Sequence, residues 1–183
     1  MKNGRTSKRM NKPRILLLMS MLLIPGALTA QEVFESIEGT YSTRKLTKTL
    51  EIGTNNRLLI RAAANLPGKI TLTTSKTKEV GIDYFKKAKA ADKEQAVDFI
   101  DLIAVVLDKT PDAVRLEMRA PNPAPWEGET EWGLVEVEIT VPEKCFVEIE
   151  AALFDVDATG PFRGIVIPVS LGKIDISHVL EKL

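Results

Sequence analysis

VEIEAALFDVDATGPFRG (Val147–Gly164) and IVIPVSLGKIDISHVLEK (Ile165–Lys182) lie end to end and share a pattern at an offset of 18 residues. Val147 falls on Ile165, Ile149 on Ile167, Leu153 on Leu171, Val156 on Ile174, Asp157 on Asp175 and Ala158 on Ile176. Only Leu153/Leu171 and Asp157/Asp175 are identities, so what recurs is the alternation of apolar and polar residues. A period of two marks a strand with one buried face. The first unit holds two short strands, Val147–Ala151 and Asp155–Ala158, with turns at Ala152-Leu153-Phe154 and Gly160–Gly164. Two architectures accommodate such units. In a β-solenoid-like stack each unit is one turn, and equivalent residues lie about 4.8 Å apart. In an antiparallel β-sandwich each unit is two strands of an up-and-down series. A parallel stack would set Asp157 beside Asp175, a like-charge cost that Asp155 beside Lys173 partly offsets.

Working outward, the same period recurs upstream. Lys48–Ile52, Arg57–Ala62, Lys69–Thr74, Glu79–Phe85, Ile103–Leu107, Ala113–Arg119 and Leu134–Val141 are expected strands. Gly53–Asn56 and Asn65–Gly68 supply turns between them. One segment breaks the rhythm. Ala88–Ile103 is rich in Ala, Lys, Glu and Gln, which favour helix. Asp92 with Gln95 approximates a capping box, and Ala96, Phe99, Ile100 and Ile103 form one apolar stripe. The expectation is therefore an all-β fold, a solenoid-like stack of short strands with one short covering helix. The antiparallel sandwich is the alternative. A helix between most strands would be needed for an alternating β/α plan, and it is missing.

Residues 1–30 stand apart. Lys2, Arg5, Lys8, Arg9, Lys12 and Arg14 precede the apolar run Ile15–Ile24, and Pro25-Gly26 and Ala27–Ala30 follow it. This reads as an export signal cleaved after Ala30, with an uncleaved membrane anchor as the alternative. No cysteine follows the apolar run, which argues against a lipid anchor. Six of the chain's 25 basic residues and none of its 25 acidic ones lie in this leader. The remainder carries 19 basic against 25 acidic side chains, a net charge of −6. An acidic body disfavours nucleic acid or an anionic membrane surface as partner. Residues 31–45 are weakly patterned and are expected to form a flexible N-terminal segment, or an edge. Residues 46–183 are expected to form a single domain large enough for a real core. Cys145 is the only cysteine, so no intrachain disulfide can form.

Candidate chemistry is sparse. His178 is the only histidine, far in sequence from Cys145, so no nucleophilic dyad can be assembled without it. Asp155, Asp157 and Asp175 could converge on a hard cation if the units stack, but Lys173 opposes that and no calcium-loop pattern is present. Solvated strand faces are the plainer account. No cofactor is implied. The loop Ala120–Trp132 (APNPAPWEGETEW) differs from its surroundings. It carries Pro121, Pro123 and Pro125, three glutamates, and both tryptophans of the chain, Trp126 and Trp132. Long loops of this kind often carry function. Exposed indoles stack on sugar rings or anchor protein partners, so Trp126 and Trp132 are the candidate contact residues. The plainer account folds each indole back over the sheet as a plug.

The stretch from Val135 to Val179 resembles the bacterial β-strand-repeat domain of unknown function that carries the label adhesin. The resemblance rests on Thr140-Val141-Pro142 closing an alternating strand, then on Phe154–Gly164 and Leu171–Ile176 as successive units. It extends over Leu50–Val179. The chain departs from the pattern where Phe154 replaces the expected Gly, where Pro168 interrupts a strand, and in having few units. The resemblance implies an exported, solenoid-like protein without catalytic residues. The functional expectation is a non-catalytic protein of the cell envelope, periplasmic or at the surface, that binds an envelope protein or a polysaccharide. One alternative is a carbohydrate-binding or carbohydrate-active module using the Trp126–Trp132 loop. Another is an envelope-stress accessory protein. No membrane span remains in the mature chain if the signal is cleaved.

Overall fold

The computed structural model describes residues 32–37, 39–126 and 130–179. The expected export signal lies outside them. Thirteen strands and one helix follow in order: β1 (Val33–Ile37), β2 (Thr40–Thr43), β3 (Leu46–Glu51), β4 (Arg57–Ala62), β5 (Gly68–Ser75), β6 (Glu79–Lys89), α1 (Lys93–Leu102), β7 (Ala104–Lys109), β8 (Val114–Arg119), β9 (Trp132–Pro142), β10 (Phe146–Glu150), β11 (Phe154–Phe162), β12 (Gly164–Val166) and β13 (Ile174–Val179). The fold is all-β. A large sheet runs β1-β2-β6-β9-β5-β11-β13, with β3 also on β6, and a small sheet runs β12-β10-β4-β8-β7.

The chain crosses between the sheets in a regular way. β4, β8, β10 and β12 lie in the small sheet, and each is followed by a strand of the large sheet: β5, β9, β11 and β13. Both sheets hold these partners in the same spatial order, and all neighbours among them are parallel. Val147 pairs with Ile165, and Val156, Asp157 and Ala158 pair with Ile174, Asp175 and Ile176. The offset of 18 is thus a strand register. The antiparallel sandwich does not describe this pairing. Each crossing to the other sheet and back returns the chain in its original direction, so equivalent strands align in parallel. Antiparallel pairs are confined to the additions around β6 and β7, where β6 runs against β9 and β7 against β8.

Alternation makes the core. Leu58, Ile60, Ile70, Leu72, Leu116, Val137, Ile139, Val147, Ile149 and Val156 point between the sheets and are buried. Phe154 and Phe162 are the largest side chains that are fully buried. A second cluster joins Val33, Tyr41, Ala88, Ala96, Phe99 and Ile100 under α1. Within the segment expected to be flexible, β1 and β2 lie at the edge of the large sheet. Val33 and Tyr41 bury their side chains in the second cluster, and that ties the segment down.

The helix begins later than its composition indicates, because Ala88 and Lys89 finish β6. Its cap is reciprocal. Asp92 Oδ1 accepts from Gln95 N at 2.9 Å, and Gln95 Oε1 accepts from Ala91 N at 3.0 Å. Asp92→Ala is expected to cost about 1 kcal/mol, measurable by chemical denaturation. At the other end Lys86, buried on β6, donates from Nζ to the carbonyls of Ile100 and Ile103 at 2.9 and 3.0 Å. A cation at a helix C-terminus also complements the helix dipole. No helix among the described residues is long and apolar enough to cross a membrane.

Candidate binding face on the large sheet

The candidate residues from the sequence do not converge. Cys145 is fully buried, and burial pushes its thiol pKa up to about 12, against a backbone hydrogen bond and Arg163. A protonated, enclosed thiol is not a nucleophile. Native protein at pH 8 is expected to resist iodoacetamide, with full modification by mass only after denaturation. His178 is exposed on the outer strand β13, with φ 62°. Asp157 and Asp175 stand side by side on β11 and β13, and Asp155 Oδ1 accepts from Lys173 N at 2.7 Å.

Trp126 and Trp132 are both half-buried. The Trp126 ring meets Phe99 edge-on at 5.8 Å between centroids and joins both apolar clusters. It also lies on Gly133, where an added Cβ would come 2.9 Å from its Cζ3. Trp132 opens β9 opposite Lys89.

The outer faces of the two sheets differ in chemistry. On the small sheet the charges are matched in pairs. Arg115 holds Asp108 through two nitrogens at 3.1 and 2.9 Å and reaches Glu117 at 3.2 Å. Arg119 also holds Glu117, Arg61 meets Glu150 at 2.9 Å, and Arg57 meets Glu148 at 2.6 Å.

The large sheet instead carries two in-register rows across β3, β6, β9, β5, β11 and β13. One reads Thr49, Gly81, Thr140, Thr73, Thr159, Ser177. The other reads Thr47, Asp83, Glu138, Thr71, Asp157, Asp175. Strand alternation turns all of these away from the core. The first row is a ladder of hydroxyls. Thr73 and Thr140 stand 3.4 Å apart, and Ser177 Oγ donates to Thr159 Oγ1 at 3.2 Å.

Gly81 interrupts that ladder. Its backbone is not in the left-handed region, and an added Cβ would meet only Thr49 Cγ2, at 3.8 Å. Neither backbone nor packing requires glycine there. Gly81 lies in a trough of about 310 Å³, walled by Thr47, Thr49, Thr71, Thr73, Asp83, Glu138 and Thr140. A second hollow, of about 130 Å³, shares Thr71 and Glu138 with it and adds Phe85, Lys69 and Glu136. Asp83 accepts from Thr47 Oγ1 at 2.6 Å and from Lys45 Nζ at 3.2 Å. The Thr47 hydrogen bond, helped by Lys45 and opposed by burial, holds its carboxyl below the usual range. The Asp83 wall of the trough therefore stays charged at neutral pH. An isolated Gly in the strand run EVGIDYF, with Thr at alternate positions of KITLTT, was the available signal. Hydropathy patterning passes over both, because it follows the buried face.

No family model matches the chain, and no curated protein matches it. Five chains of solved structures do. One is provisionally described as a cell adhesion protein from Clostridium sporogenes. It has 13% identity and a TM-score of 0.37, over 68% of this chain and 57% of that one. Another is provisionally described as an adhesin from Bacteroides fragilis. It has 16% identity and a TM-score of 0.30, over 73% of this chain and 61% of that one. The chain is thus similar to solved proteins that carry the adhesin label, and it spans about three fifths of their length.

Proposed function

We propose that this is an exported, non-catalytic protein of the bacterial cell envelope, and that it holds an envelope partner against the outer face of its large sheet. On this reading the four strand pairs β8/β9, β4/β5, β10/β11 and β12/β13 are turns of a solenoid-like stack. The stack is a rigid support, and recognition belongs to its outward residues. The observation that carries the proposal is the pair of in-register rows around the Gly81 trough. They align polar groups from six strands on one face, while the small sheet matches its charges internally. Sites built on strands hold their groups more firmly than sites on loops.

The test has two parts. The tagged full chain is expected in the periplasmic, surface or medium fraction of a bacterial host. It is also expected to bind isolated envelopes, and Thr73→Arg with Asp157→Arg should weaken that binding roughly tenfold, the worth of one good polar contact. Retention in the cytosol, or equal envelope binding by the double variant, would refute the proposal.

A second reading places sugar contact on Trp126 and Trp132. The half-exposed indole of Trp132, at the mouth of β9, favours it. Trp132→Ala would then abolish binding to a polysaccharide panel without lowering the melting temperature, whereas an indole that only packs would lower the melting temperature and leave binding alone.

A further inference from the structure

Resting on that proposed function, we infer that the trough face takes a linear amino-sugar polymer with free amines. Charge complementarity comes first. Lys45 occupies Asp83, and Lys87 meets Glu136 at 2.7 Å. Among the described residues Glu138, Asp157 and Asp175 have no cation within ion-pair distance. Asp157 and Asp175 stand directly beside each other, an arrangement that costs stability when nothing neutralises it. The body around them is acidic as a whole, which draws a cationic polymer to it. Arg57, Arg61 and Arg115 are held in ion pairs on the other sheet.

The neutral groups narrow the chemistry further. A basic peptide would need carboxylates and an apolar or backbone-pairing surface. This face offers hydroxyls on β3, β9, β5, β11 and β13 beside the carboxylates, and hydroxyl ladders suit a ligand that is itself dense in hydroxyls. Phe85, in the adjoining hollow, supplies a ring for the apolar face of a sugar. Spacing agrees. Neighbouring strands lie about 4.8 Å apart, so Glu138 and Asp157, two strands apart, are about 9.6 Å apart. A linear pyranose chain turns over at each link and presents like substituents on one side at every second ring, a repeat of comparable length. The polymer would lie across the strands, amines on the carboxylate row and hydroxyls on the Thr73/Thr140 side, with one ring set into the space above Gly81.

The experiment is calorimetric titration of the full chain with three probes of equal length: a fully deacetylated glucosamine oligomer, its N-acetylated counterpart and an oligolysine. The deacetylated oligomer should bind, and the N-acetylated one should bind at least roughly tenfold more weakly, since acetylation removes a charge-assisted contact. Glu138→Gln and Gly81→Val should each cost a similar factor. Gly81→Val places a branched side chain on the floor of the trough, and Thr73→Arg serves in its place if that variant does not fold. Equal binding of the N-acetylated oligomer would overturn the inference. So would oligolysine binding as tightly as the glucosamine oligomer and insensitive to Gly81→Val, which would mark a basic-peptide surface. Silence with all three probes overturns the ligand class too. If envelope binding still falls in Thr73→Arg with Asp157→Arg, the proposed function stands without it.

Discussion

Phe154→Ala is expected to lower the unfolding free energy of the protein by about 3–5 kcal/mol, and its melting temperature by roughly 10–15 °C. Phe154 opens β11 and is fully buried. Its ring lies against Gly68, its partner in the β5 register. A Cβ on Gly68 would stand 2.4 Å from Phe154 Cε1 and 2.1 Å from the Val135 carbonyl. On the far side, a Cβ on Gly172 would fall 2.2 Å from the Phe154 carbonyl. Two glycines therefore give up their side chains to let one large ring and its backbone fit. The Gly68 wall of the resulting space is strand backbone, held by ladder hydrogen bonds, and cannot close over a deleted ring. A cavity that cannot collapse gives the high end of the range. Equilibrium urea unfolding with an unchanged denaturant slope is the measurement. A loss below about 1 kcal/mol would show that the ring is not packed as described. Gly68→Ala tests the same fit from the other side and should cost about 1–3 kcal/mol through overpacking.

Lys86→Met is expected to cost about 1–3 kcal/mol at pH 7, because two charge-assisted bonds to Ile100 and Ile103 are lost. The pH dependence gives the sharper readout. Burial lowers the Lys86 pKa from the ordinary 10.5, with Asp101 opposing the shift and Lys48 adding to it. Between the lowered folded value and 10.5 the unfolded chain keeps a proton that the folded chain has released. Stability then rises with pH across that window, since the unfolded state binds more protons. The methionine variant should lack this rise. An identical pH profile in both proteins, by thermal melting from pH 7 to 10.5, would rule out a buried, titrating Lys86.

Much of the architecture was legible because it is written in side-chain alternation. Val156 and Ile174 recur at 18 residues because parallel strands stack like on like, and hydropathy reports the buried member of each pair. Strand ends were blurred where polar residues continue a strand. In the sequence Phe154 reads as part of a turn, yet it starts β11, because its burial depends on Gly68 from a distant segment. Where β4 and β5 sit in the sheets was beyond the sequence. Nothing local tells residues 57–75 that their neighbours will be residues 114–142 on one side and 146–162 on the other. The candidate binding face was hidden for a related reason. Thr and Gly carry little hydropathy, and the trough exists only where β3, β6, β9 and β5 meet. The two tryptophans of the Ala120–Trp132 loop are conspicuous in the sequence, whereas the contacts of Trp126 to Phe99 and Gly133 exist only in three dimensions.

The position of β4 and β5 has a consequence in time. They are synthesised first among the eight parallel strands, yet they lie between pairs made later. Until residue 150 has emerged β4 keeps one edge unpaired, and until residue 159 has emerged so does β5, and their register with β10 and β11 must be found across long stretches of chain. Closing such distant contacts is slow, on the order of milliseconds to seconds for sheet proteins dominated by non-local pairing. A nascent chain of this design stays open while it lengthens. It completes its centre only once β10 and β11 have followed.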